Sequence, residues 1–167
     1  MKLAKVASLF AALGLGSAVH AADLGGAVLK VGSDTTSPPM EYIDPDTGAI
    51  VGFDVDVVNA ICEHINCKVE FTTTGWDGIF TALQEGQFDL VASGVSITGE
   101  RQQVMDFTEP YITNGQAILV RAADAALTVD HFKAGRKLSA QANTTDAATA
   151  EEIAVKDNVQ AYDTNSA

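Results

Sequence analysis

Apolar residues in this chain come in short runs separated by polar and glycine-rich stretches, and the spacing inside the runs changes along the sequence. Val28 to Val31 predicts a first buried strand, ended by Gly32. Ser33 to Asp44 is rich in Ser, Thr, Pro and Asp and predicts a structured loop. Asp44-Pro45-Asp46-Thr47-Gly48 is a turn, followed by a short extended piece from Ala49 to Phe53. Asp54 is expected to cap a helix whose apolar positions Val57, Val58, Ile61 and Ile65 share one face. Lys68 to Thr73 predicts a strand. Asp77 to Gln84 predicts a second helix, with Ile79, Ala82 and Leu83 on its buried side and Gly86 as its stop. Phe88 to Ala92 predicts a third strand, opening into Ser93-Gly94-Val95-Ser96-Ile97-Thr98. A helical turn near Glu100 to Gln103 follows, then extended pieces at Met105 to Phe107 and Gln116 to Arg121.

The Ala-rich stretch Ala122 to Ala126 changes the composition and reads as a crossover between two lobes. Beyond it the pattern restarts: helix at Val129 to Ala134, strand at Lys137 to Gln141, helix at Thr145 to Val155, strand at Val159 to Tyr162. That is too little chain for an independent lobe. Asn165-Ser166-Ala167 closes the sequence without a terminal element, so the second lobe is read as incomplete. The alternation of strands and helices predicts an α/β fold with a mostly parallel sheet covered on both faces.

The first 21 residues have the composition of an export signal. Lys2 and Lys5 precede an apolar run from Val6 to Val19, and Val19-His20-Ala21 places small residues where signal peptidase needs them. The run is short for a bilayer span and is interrupted by Gly14, Gly16 and Ser17. Ten basic residues stand against 22 acidic ones, a net of −12; without Lys2 and Lys5 the balance is 8 against 22, or −14. Such a surface repels phosphate backbones and excludes nucleic acid as a partner class. Cys62 and Cys67 lie five positions apart. Export permits a disulfide between them. The alternative is a buried helix thiol at Cys62 with Cys67 opening a strand. With His64 they make an incomplete metal set, so neither a metal nor a cofactor is expected.

No nucleophile elbow, phosphate-binding glycine loop or zinc-type histidine pair is present in the sequence. The informative features are polar loops at carboxyl ends of strands, where open α/β sheets bind small molecules. They are Ser33 to Met40, Ser93 to Arg101 and Ala142 to Asp146. Arg101 can grip a carboxylate with two parallel hydrogen bonds, with Ser96 and Thr98 as neutral donors, or it can pair on the surface with Glu100 or Asp106. Trp76 can stack on a ligand or plug the core. Asp34 can meet a ligand cation or cap its own turn. Asn143-Thr144-Thr145 can hold an anion at a helix start or serve as an ordinary cap.

Five runs, in order, closely resemble the family-3 solute-binding proteins of polar amino-acid ABC transporters. They are Val31-Gly32-Ser33-Asp34 with Pro38-Pro39-Met40-Glu41-Tyr42; Val51-Gly52-Phe53-Asp54-Val55-Asp56; Trp76-Asp77-Gly78-Ile79; Ser93 to Thr98 leading to Arg101; and Met105-Asp106-Phe107-Thr108-Glu109-Pro110-Tyr111. The resemblance runs from Leu29 to Tyr162. It implies a periplasmic-binding-protein type II, or Venus-flytrap, fold: signal peptide at 1–21, most of lobe 1 at 22–121, crossover and start of lobe 2 at 122–167. It further implies that Arg101 clamps the α-carboxylate of an amino acid, helped by Ser96 and the backbone of Thr144 and Thr145. Ser93 and Gly94 would face the α-amino end, Trp76 would wall the side chain, and Asp34 would lie at its far end, which suits a basic ligand. The implied partners are a free amino acid and an inner-membrane ABC permease. The implied protein is a periplasmic monomer without enzymatic activity.

The sequence departs from the pattern at Ser37, where the family carries a stacking tyrosine, at Met40, a frequent phenylalanine, and at Asn143, a common glycine. The family's lobe-two aspartate for the α-amino group would lie beyond Ala167. The 167-residue chain is therefore expected to bind in the millimolar range or not at all, because one charge-assisted pair supplies only about 1.5–3 kcal/mol. Two rival readings remain on the same fold: a dehydratase acting on cyclohexadienyl or prephenate-type compounds, and a ligand-sensing module of a larger receptor.

Overall fold

Short strands alternate with helices along nearly the whole length that the computed structural model describes, residues 22–165. The expected signal at 1–21 lies outside the described residues, as do 166 and 167. In chain order the elements are β1 (Ala27–Ser33), β2 (Thr36–Ser37), β3 (Glu41–Ile43), β4 (Ile50–Val51), α1 (Phe53–His64), β5 (Cys67–Thr73), α2 (Trp76–Gln84) and β6 (Leu90–Val91). Then come α3 (Val129–Lys133), β7 (Leu138–Gln141), α4 (Thr145–Ile153) and β8 (Val159–Tyr162). Short 3-10 turns stand at Arg101–Gln103, Ala122–Asp124 and Lys156–Asn158. Among the described residues no helix is long and apolar enough to cross a membrane.

β1 is the centre of a parallel sheet of order β5-β1-β6. Parallel neighbours need crossover connections, and α1 and α2 supply them. β5 pairs with β1 from Ala27↔Cys67 to Ser33↔Thr73, whereas β6 pairs only at Val31↔Leu90 and Gly32↔Val91. Burial follows this asymmetry. Val28 is 51% exposed, but Val31 is fully buried against Val58 and Ala92, with Val69, Phe71 and Leu90 around them. Of the strand expected to be buried from Val28 to Val31, only Val31 is buried, and the buried stretch continues instead through Gly32 and Ser33. β2, β3 and β4 form a small antiparallel sheet, and β7 pairs in parallel with β8.

Three local expectations are corrected. Asp54 does not cap α1; Gly52 holds the cap position with φ 134°, and a Cβ there would collide with the Met40 carbonyl. Asp54 is instead buried in the first turn. The buried face of α1 runs through Val55, Val58 and Cys62, leaving Ile61 half exposed. A disulfide joins Cys62 to Cys67, with Cα atoms 4.6 Å apart, tying the last turn of α1 to the first residue of β5. Finally, Met105–Phe107 and Gln116–Arg121 form no strand. A ladder needs a neighbour, neither segment has one among the described residues, and Leu119 is 99% exposed.

Candidate functional site

The loops after β1, β6 and β7 meet at the carboxyl ends of their strands. Asp34 donates its backbone N–H to the Ser93 hydroxyl at 2.9 Å, which joins the first two loops. Gln141, the last residue of β7, donates from Nε2 to Asp34 Oδ2 at 2.6 Å and joins the third. All three side chains are buried.

Arg101 opens the 3-10 turn beyond the second loop and is half-buried. Its Nη1 donates to the Ser96 carbonyl at 3.0 Å and its Nη2 to the Asn143 carbonyl at 3.4 Å. The guanidinium carbon lies 5.4 Å from the Trp76 ring centre and 5.1 Å from that of Phe80, within cation–π range of both. Partial burial lowers its pKa from the ordinary guanidinium value, against the charge of Glu100; an arginine so placed remains cationic at neutral pH. Neither Glu100 nor Asp106 pairs with it: no ion pair among the described residues includes Arg101. A fixed cation with neutral partners and spare N–H groups is an anion site in its chemistry.

Trp76 begins α2 and is buried, edge-on to Phe80 at 5.1 Å. Its Nε1–H donates to the Asn143 carbonyl at 3.0 Å. Asn143 has φ 59°, a conformation open to asparagine, and its side-chain amide donates to Asp77 Oδ1 at 2.8 Å. Thr144 caps α4: its hydroxyl accepts from the Ala147 N–H at 3.1 Å and donates to the Gln141 carbonyl at 2.7 Å. Thr145 is the first helical residue, with its hydroxyl 3.2 Å from that of Ser96. The opening turn of α4, with N–H groups that have no intrahelical acceptor, therefore stands beside the Arg101 loop.

The remaining candidates face inward or sit at the rim. The Ser93 hydroxyl donates to Glu41 Oε1 at 3.0 Å while accepting from Asp34, so its side chain is committed to the protein. Gly94 is exposed at φ 54°, and its N–H donates to Asp54 Oδ2 at 2.6 Å. Ser37 lies in β2 and accepts from Asn165 Nδ2 at 2.7 Å. Glu41 is 1% exposed, and burial, with Asp54 beside it, pushes its carboxyl up to about 8. No group of three or more metal-binding side chains occurs among the described residues.

Gln141, Phe80 and the Asn143 carbonyl were not legible as site elements. Gln141 ends an otherwise unremarkable strand, and its one signal is an amide placed where a strand enters a loop. Phe80 reads as ordinary helix core. A backbone carbonyl leaves no trace in sequence.

A family model described as bacterial extracellular solute-binding proteins, family 3, matches residues 29–162. A protein named as a probable histidine-binding protein of Neisseria gonorrhoeae is 40% identical over 113 residues, covering 68% of this chain and 42% of that one. Among solved structures, an ancestral arginine-binding protein bound to glutamine aligns with TM-score 0.75 and 37% identity, over 83% of this chain and 61% of that one. An ancestral amino acid-binding protein, described as a precursor of cyclohexadienyl dehydratase, aligns with TM-score 0.77 and 38% identity, over 83% and 62%. The chain thus spans less than two thirds of each of these proteins.

Proposed function

The chain belongs to the bacterial extracellular solute-binding proteins, family 3, and we propose that it captures a free polar amino acid in the periplasm for an ABC permease. On this reading 1–21 is a signal removed on export, 22–121 supplies most of the first lobe, and 122–167 supplies the crossover and the start of the second. The protein acts as a monomer that presents its ligand to the inner-membrane permease.

One observation carries the reading: Arg101 is half-buried over Trp76 and Phe80, bonded to two carbonyls and to no carboxylate among the described residues. The ligand's α-carboxylate docks on its free N–H groups and on the first turn of α4 at Thr144 and Thr145, with Ser96 alongside. Backbone carbonyls of Ser93 and Gly94 take the α-amino group. Trp76 forms the side-chain wall, and Ser37 lies at the rim. Asp34, held by Gln141, forms the far end. The histidine, arginine and glutamine named for the relatives each carry a nitrogen that a carboxylate can accept from, and the same class suits this chain. The chain is not an enzyme on this reading: Glu41, the carboxyl best suited by pKa to act as a general acid, is sealed from solvent behind Ser93.

Calorimetry with arginine, lysine, histidine and glutamine tests the reading. Arg101→Ala should weaken whatever binding is measured by roughly tenfold to a hundredfold, and Arg101→Lys should restore little of it, since an ammonium lacks the planar fork. Unchanged affinity in Arg101→Ala, or turnover of a cyclohexadienyl substrate, would refute it.

A further inference from the structure

Two deeply buried oxygens, Glu41 Oε2 and Asp54 Oδ1, lack a hydrogen-bond donor, although their side chains are each only 1% exposed. The two residues are neighbours: the Asp54 N–H donates to the carbonyl of Met40, the residue before Glu41, at 3.0 Å. Ionised carboxylates have only acceptors to offer, so neither can satisfy the other. Their outer oxygens are already used: Ser93 Oγ–H donates to Glu41 Oε1, and Gly94 N–H donates to Asp54 Oδ2. Two charged acceptors left side by side in a dry interior repel each other and lack the solvation that water would give them.

We infer that Glu41 and Asp54 share one proton, and that this proton positions the Ser93–Gly94 turn at the mouth of the site. It closes an unbroken chain: Asp34 N–H to Ser93 Oγ, Ser93 Oγ–H to Glu41, Glu41 to Asp54 through the shared proton, and Gly94 N–H to Asp54. The surroundings favour keeping it. Asp34, at the end of β1, adds a third negative group, and no ion pair among the described residues includes Glu41, Asp54 or Asp34. From the irregular segment after Met105, the Tyr111 phenol approaches Asp54 and Glu41; burial, helped by both carboxyls, holds it above the ordinary tyrosine range, so it stays neutral. Glu41 and Asp54 are positioning residues, since the Ser93–Gly94 turn lies between them and the site. That the turn serves a ligand rests on the functional reading above; the shared proton does not.

The sign of the pH effect follows. Folding raises the Glu41 carboxyl from its ordinary 4.5 to about 8, so the folded chain holds a proton that the unfolded chain releases. The stabilisation is complete below about 4.5, declines as pH rises, and is gone once pH passes about 8.

Infrared spectra and thermal unfolding of the 167-residue chain, alongside Glu41→Gln and Tyr111→Phe, test the inference. At pH 7 the unsubstituted chain and Tyr111→Phe should show the carbonyl stretch of a protonated carboxyl, absent in Glu41→Gln and lost on raising the pH beyond 9. Between pH 5 and pH 9 the melting temperature of the unsubstituted chain should fall by roughly 10 °C more than that of Glu41→Gln. No protonated-carboxyl band at pH 7, or its loss in Tyr111→Phe, would overturn the inference, as would equal pH slopes. The band in the unsubstituted chain decides alone if Glu41→Gln does not fold. A band present together with unchanged ligand affinity in Arg101→Ala would leave the proton standing and sink only the functional reading.

Discussion

The indole Nε1–H of Trp76 donates to the backbone carbonyl of Asn143 at 3.0 Å, across 67 residues of sequence. The same carbonyl accepts from Arg101 Nη2 at 3.4 Å, and the guanidinium lies against the indole face. One peptide oxygen therefore sets the relative positions of the aromatic wall and the cation. Trp76→Phe keeps a ring but loses the N–H. It should cost about 1 kcal/mol of stability and weaken ligand binding about fivefold, read by thermal unfolding and calorimetry.

Gln141→Ala would leave Asp34 Oδ2 without its buried donor. The expected loss of stability is about 1.5–3 kcal/mol, the range for a hydrogen bond to a charged group. A ligand cation could then take the place of the amide. Competition calorimetry should show the preference for arginine or lysine over glutamine rising roughly tenfold, equivalent to about 1.4 kcal/mol.

The Cys62–Cys67 bridge closes a very short loop, and chain entropy limits its contribution to about 2 kcal/mol. Replacing both cysteines by serine should lower the melting temperature by roughly 4–8 °C without reductant. With reductant present, the two proteins should melt together.

Gly52→Ala meets two penalties at one atom. Its φ of 134° disfavours any side chain, and the added methyl would press on the Met40 carbonyl. Denaturant unfolding should show a loss of roughly 2 kcal/mol or more. Gly78, with open space around it, should accept alanine with little change.

The element order was largely legible because it rests on local signals. The stop at Gly86 (φ 74°), the two crossover helices and the restart after Ala126 are written in spacing and glycine placement. What escaped was set by tertiary partners. Asp54 carries the composition of a cap, yet its carboxylate reaches to a loop forty residues away. Ile61 fits the helical stripe, but α1 buries Val55, Val58 and the bridged Cys62 instead, with Val58 packed on Val31 of the sheet. The extended pieces after Met105 have strand-forming residues and no strand to pair with. At the site, Arg101, Trp76 and Thr144 were visible by residue type and position. The partners that hold them, the Gln141 amide and two main-chain carbonyls, become visible only once the chain is folded.

β1 is laddered along its whole length on one side, but on the other only at Val31 and Gly32. Its amides should therefore exchange with solvent deuterium along a gradient, fastest near Ala27 and slowest towards Ser33. The slow end lies directly beneath the loops that carry Asp34 and Ser93. The stiffest backbone in the strand thus underlies the groups whose placement matters most, while the opposite end is left free to breathe.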